Sequence, residues 1–227
     1  MISVITGASS GIGRALALIL AETGATLYLL GRDEARLQEV ADEVEKSGAT
    51  VHAHAFDLTD DKAVKSFAAS LTRVNVLIHS AGTVRLGKVA EASVSDLDTQ
   101  YRINLRAPYL LTQCLLPQLR TAKGHIVFIN SGAGLNAKPE WSQYAASKHA
   151  LRALADSLRA EVNPQVRVTS IYPGRIASPM QRRVREFEGK PYDPKDFMQP
   201  EDVAQQVKAA LSAPHSAQVH DLSIRPL

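Results

Sequence analysis

A short apolar run, Ile2-Ser3-Val4-Ile5, passes through Thr6-Gly7-Ala8-Ser9-Ser10-Gly11-Ile12-Gly13 into an amphipathic stretch that starts at Ile12. A strand that becomes a helix within so few residues needs glycine wherever the backbone turns tightly or packs closely. Strand, glycine turn and helix in this order predict the opening of a βαβ unit. They also leave the N–H groups of a helix N-terminus free to receive a pyrophosphate. The spacing G-x-x-x-G-x-G differs from the commoner dinucleotide fingerprint G-x-G-x-x-G but makes similar physical demands. Thr6, Ser9 and Ser10 add hydroxyls around the same turn, which a bland strand-to-helix connection leaves unexplained.

The rest of the chain continues the alternation. Strands are expected at Ile2–Thr6, Thr26–Leu30, Thr50–Ala55, Val74–His79, His125–Asn130, Val166–Tyr172 and Val219–Ile224. Helices are expected near Ile12–Thr23, Asp33–Ser47, Asp60–Leu71, Val94–Leu119, Trp141–Glu161 and Pro200–Leu211. Strand–helix alternation predicts an α/β fold, a Rossmann-type doubly wound parallel sheet of about seven strands with helices on both faces. Nearly continuous apolar strands such as Val74-Asn75-Val76-Leu77-Ile78 fit burial on both sides. Gly24 and Gly48 suit left-handed helix ends, and Pro200 with Glu201 and Asp202 suits a helix start. The stretch from Arg175 to Gln199 shows no periodicity, contains three prolines and a glycine, and is expected to be a substrate lid. No linker interrupts the pattern, so residues 1–227 are read as one domain.

Composition narrows the function classes. Of 227 residues, 45% are hydrophobic and 22% charged, ordinary for a soluble globular chain. One cysteine, Cys114, permits no internal disulfide, makes a zinc site improbable and suits a reducing, cytoplasmic setting. No apolar run is long enough for a transmembrane helix, and no signal peptide is evident. The net charge is +3 and its only basic cluster, Arg182, Arg183 and Arg185, reads as a solvated face, so neither nucleic acid nor membrane is expected as a partner.

A second constellation carries chemistry. Tyr144 and Lys148, four residues apart in YAASK, share a helix face. A phenol ordinarily titrates near 10, and a neighbouring ammonium is expected to lower that value. Tyr144 would then exchange a proton with a carbonyl or alcohol oxygen, while Ser131, at the end of a strand, would hold the same oxygen by hydrogen bonding.

The segments TGASSGIG, His79–Gly82 (HSAG), Asn104, Ser131, Tyr144–Lys148 (YAASK) and Pro173–Ser178 (PGRIAS) together resemble the short-chain dehydrogenase/reductase family, and the likeness runs the whole length of the chain. Ser131 stands 13 residues before Tyr144 and Lys148 stands 4 after it, as the family pattern requires. The resemblance implies an oxidoreductase that transfers a hydride between a nicotinamide dinucleotide and a carbonyl or secondary alcohol. It implies catalytic roles for Asn104, Ser131, Tyr144 and Lys148, with Asn104 supporting a water-linked proton path. It implies cofactor contacts at Gly7, Ser9, Ser10, Gly11, Ile12, Gly13, Asp57, Leu58, Ala81, Gly82, Tyr144, Lys148, Pro173, Gly174, Ile176 and Ser178. His79 and Ser80 depart from the two asparagines common there, and His79 is expected to make structural bonds.

Cofactor choice rests on the end of the second strand. NAD-selective enzymes place an acid there; this chain has Gly31-Arg32, and a guanidinium suits a 2′-phosphate. NADP(H) is therefore preferred, with NAD(H) possible if Asp33 faces the ribose rather than capping a helix. The substrate pocket is expected between Gly132–Glu140, the loop after Gly82 and the Arg175–Gln199 lid. The resemblance also implies a homodimer or homotetramer built on the two longest helices, with the surfaces around Leu105, Leu110, Leu151 and Leu154 offering enough apolar residues for both core and partner. The competing readings are a dinucleotide-binding regulator without turnover, and an epimerase or dehydratase of the longer related enzymes.

Overall fold

The computed structural model describes every residue except Thr23, His215 and Leu227. Seven described strands form one parallel sheet: β1 (Ile2–Thr6), β2 (Thr26–Gly31), β3 (Thr50–Ala55), β4 (Val76–His79), β5 (His125–Ile129), β6 (Arg167–Pro173) and β7 (Asp221–Ile224). Their order is β3-β2-β1-β4-β5-β6-β7. β1 lies between β2 and β4, so the chain crosses over after β3 and the sheet grows in the opposite direction. Open α/β sheets bind ligands at such a reversal, beyond the carboxyl ends of the strands.

Among the described residues, eight α-helices surround the sheet: α1 (Gly11–Ile19), α2 (Glu34–Glu45), α3 (Asp61–Ala69), α4 (Val94–Tyr101), α5 (Ala107–Ala122), α6 (Ser142–Val162), α7 (Pro179–Phe187) and α8 (Pro200–Leu211). Because side chains alternate along a strand, each strand feeds two cores. Ile5, Leu29, Ile78, Val127 and Ile171 pack against α1, α2 and α8. Val4, Leu77, Ile126, Phe128 and Val168 pack against α3, α5 and α6. No helix among the described residues is long and apolar enough to cross a membrane.

Several expectations are corrected. The helix expected over Val94–Leu119 is two helices joined by a π-helical segment, Arg102–Arg106, and α5 continues to Ala122. The stretch from Arg175 to Gln199 is not aperiodic: it holds α7. Pro179 occupies that helix's first turn, where a missing N–H costs nothing, and the Ser178 hydroxyl caps it by accepting from Gln181 N at 3.2 Å. Leu151 is 2% exposed and belongs to the core, while Leu105, Leu110 and Leu154 are half-buried against it. Strand β4 also begins two residues later than expected, at Val76. The end expected for the first helix, Thr23, lies outside the described residues. Gly24 and Gly48 do adopt positive φ, 81° and 79°.

Candidate active site

A cleft of about 730 Å³ opens over the carboxyl ends of the strands. Its floor begins at the glycine turn. Gly7 has φ of 66°, and a Cβ there would lie 2.8 Å from the backbone of Ala81, so only glycine lets the end of β1 pass the end of β4. Thr6 fastens the same junction, its hydroxyl accepting from the N–H groups of Ser80 and Ala81, both at 3.0 Å. Gly13 has a different role from the one expected. It does not line the cleft; a Cβ there would meet the Gly7 carbonyl at 2.2 Å, so its absence lets α1 close against the turn.

The start of α1 is left chemically open. Helices α2 and α3 are capped by Asp33 and Asp60, whose side chains accept from N–H groups of the first turn. Ser10, the N-cap of α1, makes no such bond. Ser9, Ser10, Gly11 and Ile12 line the cleft, so N–H groups at a positive helix end face it without a capping oxygen. That arrangement fits a pyrophosphate.

At one end of the cleft stand Arg32, Asp33, Arg36, Asp57 and Leu58. Asp33 is engaged as the cap of α2, accepting from Arg36 N at 3.1 Å and pairing with the Arg36 guanidinium at 3.3 Å. Asp57 accepts from the Thr59 N–H at 2.8 Å and its hydroxyl at 2.9 Å. Partial burial would raise the Asp57 carboxyl, but these two bonds, with the charges of Arg32 and Arg102, hold it below its ordinary value.

At the other end lie Ser131, Tyr144 and Lys148, with Ala81, Gly82, Pro173, Gly174, Ile176 and Ser178. Ser131 follows β5, and its Oγ accepts from Ala133 N at 3.1 Å. Tyr144, 6% exposed, stands in the first turn of α6 with its ring edge-on to Trp141. Burial pushes its phenol up from the ordinary value, and hydrogen bonding to the Ser131 side chain works against the rise. Lys148 is buried, donates to the Ile129 carbonyl at 3.0 Å, and is pulled down by desolvation to about 8. Its Nζ lies 5.9 Å from the centre of the Tyr144 ring. The lowering expected from this ammonium gives way to a shift in the other direction: burial raises the phenol, and what opposes the rise is the hydrogen bond with Ser131.

Asn104 sits behind the cleft, not in its lining. It is buried in the π-helical segment, where its Oδ1 accepts from Thr83 N at 2.8 Å and its Nδ2 donates to the Thr83 carbonyl at 2.9 Å and to Ser147 Oγ at 3.0 Å. It thus ties the loop after β4 to the helix that carries Tyr144. His79 is likewise structural. Its Nε2 bonds the Thr112 hydroxyl at 2.8 Å, its ring stacks on Phe128, and burial lowers it to about 3.

The short chain dehydrogenase family model matches residues 1–189. The chain belongs to the short-chain dehydrogenase/reductase family. It is 35% identical over 231 residues to an uncharacterized short-chain type dehydrogenase/reductase of Sinorhizobium fredii, covering 99% of this chain and 91% of that protein. An alcohol dehydrogenase of the archaeon Thermococcus sibiricus, solved in complex with 5-hydroxy-NADP, superposes with a TM-score of 0.89 at 28% identity, over 98% of this chain and 95% of the other. A metagenomic short-chain oxidoreductase in complex with NADP gives a TM-score of 0.85 at 31% identity, over 100% and 97%.

Within this family member, several lining residues escaped sequence reasoning, among them Arg36, Phe56, Ile103, Trp141, Arg225 and Pro226. Arg36 stands in the first turn of α2, four residues after Arg32, a spacing visible in the sequence. Nothing local to Arg225 and Pro226 points to the cleft; they arrive there because β7 pairs with β6, setting Ile224 beside Pro173.

Proposed function

We propose that the protein is an NADP(H)-dependent oxidoreductase acting on a carbonyl compound or the matching secondary alcohol, with Tyr144 exchanging the proton. The observation that carries this reading is one continuous cleft: an uncapped helix N-terminus lies in its floor, and Ser131, Tyr144 and Lys148 converge on its inner wall. The glycine turn would hold the pyrophosphate, Asp57 and Leu58 the adenine, and Ala81, Gly82, Pro173, Gly174, Ile176 and Ser178 the nicotinamide riboside. When bound, NADPH would supply the hydride.

Each residue's part follows from its surroundings. Ser131 presents a hydroxyl to the substrate oxygen and holds it within reach of the phenol. Tyr144, kept protonated by burial, donates to that oxygen in reduction and accepts from it in oxidation. Lys148 supplies positive charge behind the phenol, favouring the moment at which the proton has left. Asn104 positions this wall by holding Thr83 and Ser147. The assembled trio gives no support to a regulator that has abandoned turnover.

The preference for NADP(H) is supported by Arg32 and Arg36 side by side, and by the engagement of Asp33 as a cap. The NADP-containing relatives are in keeping with it.

The test is a panel of ketones and aldehydes with NADPH and NADH, run on the parent and on Tyr144→Phe. Removing a positioned general acid should reduce turnover about a hundred- to ten-thousandfold and leave NADPH binding intact. Neutral residues in place of Arg32 and Arg36 should reduce kcat/KM for NADPH relative to NADH about ten- to a hundredfold. An acid at position 31 is a poorer probe, since a Cβ there would crowd Leu37 at 3.3 Å. Tyr144→Phe turning over at the parent rate would remove the mechanism; a parent preferring NADH would remove the cofactor assignment.

A further inference from the structure

The two carboxylates in the cleft lining, Asp33 and Asp57, stand together beside Arg32. Among the described residues, the end that holds Ser131 and Tyr144 has no lining acid, yet Lys138, Arg183 and Arg225 all line the cleft. None of these three has a carboxylate among the described residues within ion-pair distance.

Arg225 is the best placed. It follows β7, and its Nη1 donates to the Tyr172 carbonyl at 2.6 Å and to the Ile224 carbonyl at 3.2 Å, which fixes the guanidinium. The group lies against Gly132, next in sequence to Ser131: a Cβ at position 132 would come within 3.3 Å of Nη2. Pro226 lies in the same way over Gly174, where a Cβ would be 3.0 Å from its ring. Glycines just after β5 and β6 thus let this exposed segment lie against the cleft. Among the described residues, Nε and Nη2 have no acceptor, and they form one edge of the planar fork. A carboxylate matches that edge with two parallel hydrogen bonds.

We propose that Arg225 sets substrate specificity by binding a carboxylate on the substrate, so that the protein acts on short oxo acids and the corresponding hydroxy acids. Lys138 and Arg183 add to the positive potential that draws such an anion in. The substrate class rests on the oxidoreductase reading above, whereas the anion site rests on Arg225 alone.

The test uses binding, so it does not depend on turnover. The protein saturated with NADPH forms an unreactive complex with a hydroxy acid; 2-, 3- and 4-hydroxybutyrate, each against its methyl ester, are titrated into it by calorimetry. At least one acid should bind about tenfold or more tightly than its ester. Arg225→Gln should erase that difference while leaving ester and NADPH affinities unchanged, and Arg225→Lys should keep part of it. If Arg225→Gln no longer binds NADPH, Arg225→Lys decides. Acids and esters binding alike, or a difference that survives the substitution, would overturn the proposal. Should a neutral ketone still be reduced in a Tyr144-dependent way, the oxidoreductase reading stands without the acid preference. Arg225-dependent binding in a protein that reduces neither oxo acids nor ketones would have the opposite meaning.

Discussion

Lys148 keeps an ammonium where the surroundings resist one. Desolvation brings it to about 8, and the Ile129 carbonyl is the protein oxygen to which it donates. Below about pH 8 the side chain is charged; above it the cation is lost. Reduction benefits from a protonated Tyr144 with a cation behind it, so kcat/KM for reduction should fall as pH rises through about 8. Lys148→Arg, which stays charged, should abolish that fall even though its absolute rate is lower, because a planar guanidinium does not replace a compact ammonium. A parent profile that is flat across this window would show that Lys148 is not the titrating group. The same shift has a thermodynamic consequence. The native value lies below the ordinary 10.5, so the unfolded chain binds more protons between the two, and stability should rise with pH over that interval.

Among the elements, β4 and α5 are joined by a buried histidine that has to remain neutral. His79 at the end of β4 bonds Thr112 of α5 and is held near 3; His125 at the start of β5 bonds Thr169 of β6 and is also held near 3, by burial and the charge of Arg167. In the unfolded chain both take up a proton near 6.5. Stability should therefore fall as pH drops below 6.5, with each histidine contributing a slope of up to about 1.4 kcal/mol per pH unit. His79→Asn, which retains a hydrogen-bonding side chain that does not titrate, should flatten the slope by roughly one proton's share in urea titrations at successive pH values. An unchanged slope would mean that His79 is not the linked group. At this scale local signals were readable in the sequence: the glycine turn, the Asp33 cap and the positive-φ glycines each depend on a few adjacent residues. The start of α7 was equally local, but Pro179 reads as a breaker until Ser178 is recognised as the cap before it. The π-helical segment was not legible, since a single wide turn inside a helix carries no residue signature of its own. Arg225 was not legible either, because its place depends on the register of β7 against β6.

For the molecule as a whole, one strip of exposed surface is apolar. Val94, Tyr101 and Tyr109 are 71%, 52% and 52% exposed; Val94, Leu97 and Tyr101 lie on α4 and Tyr109 on α5. Beside them runs α6, tied to the start of α4 by the Gln143 side chain, which donates to the Ser93 carbonyl at 2.9 Å. Its outer face presents Ala146, His149, Ala153 and Ser157, all exposed and mostly small, so another helix can approach closely. A flat pair of helices with aromatic and aliphatic anchors beside small residues is suited to meeting its own copy across a twofold axis, where the same patch serves both sides. The expected mass in light scattering at micromolar concentration is therefore a dimer or tetramer. Tyr101→Asp combined with Tyr109→Asp should reduce it to a monomer, because two buried charges would be left without partners at the interface. Neither ring belongs to the core, so the variant's circular dichroism should match the parent's. A monomeric parent over the same range would mean that this strip serves something other than a second copy of the chain.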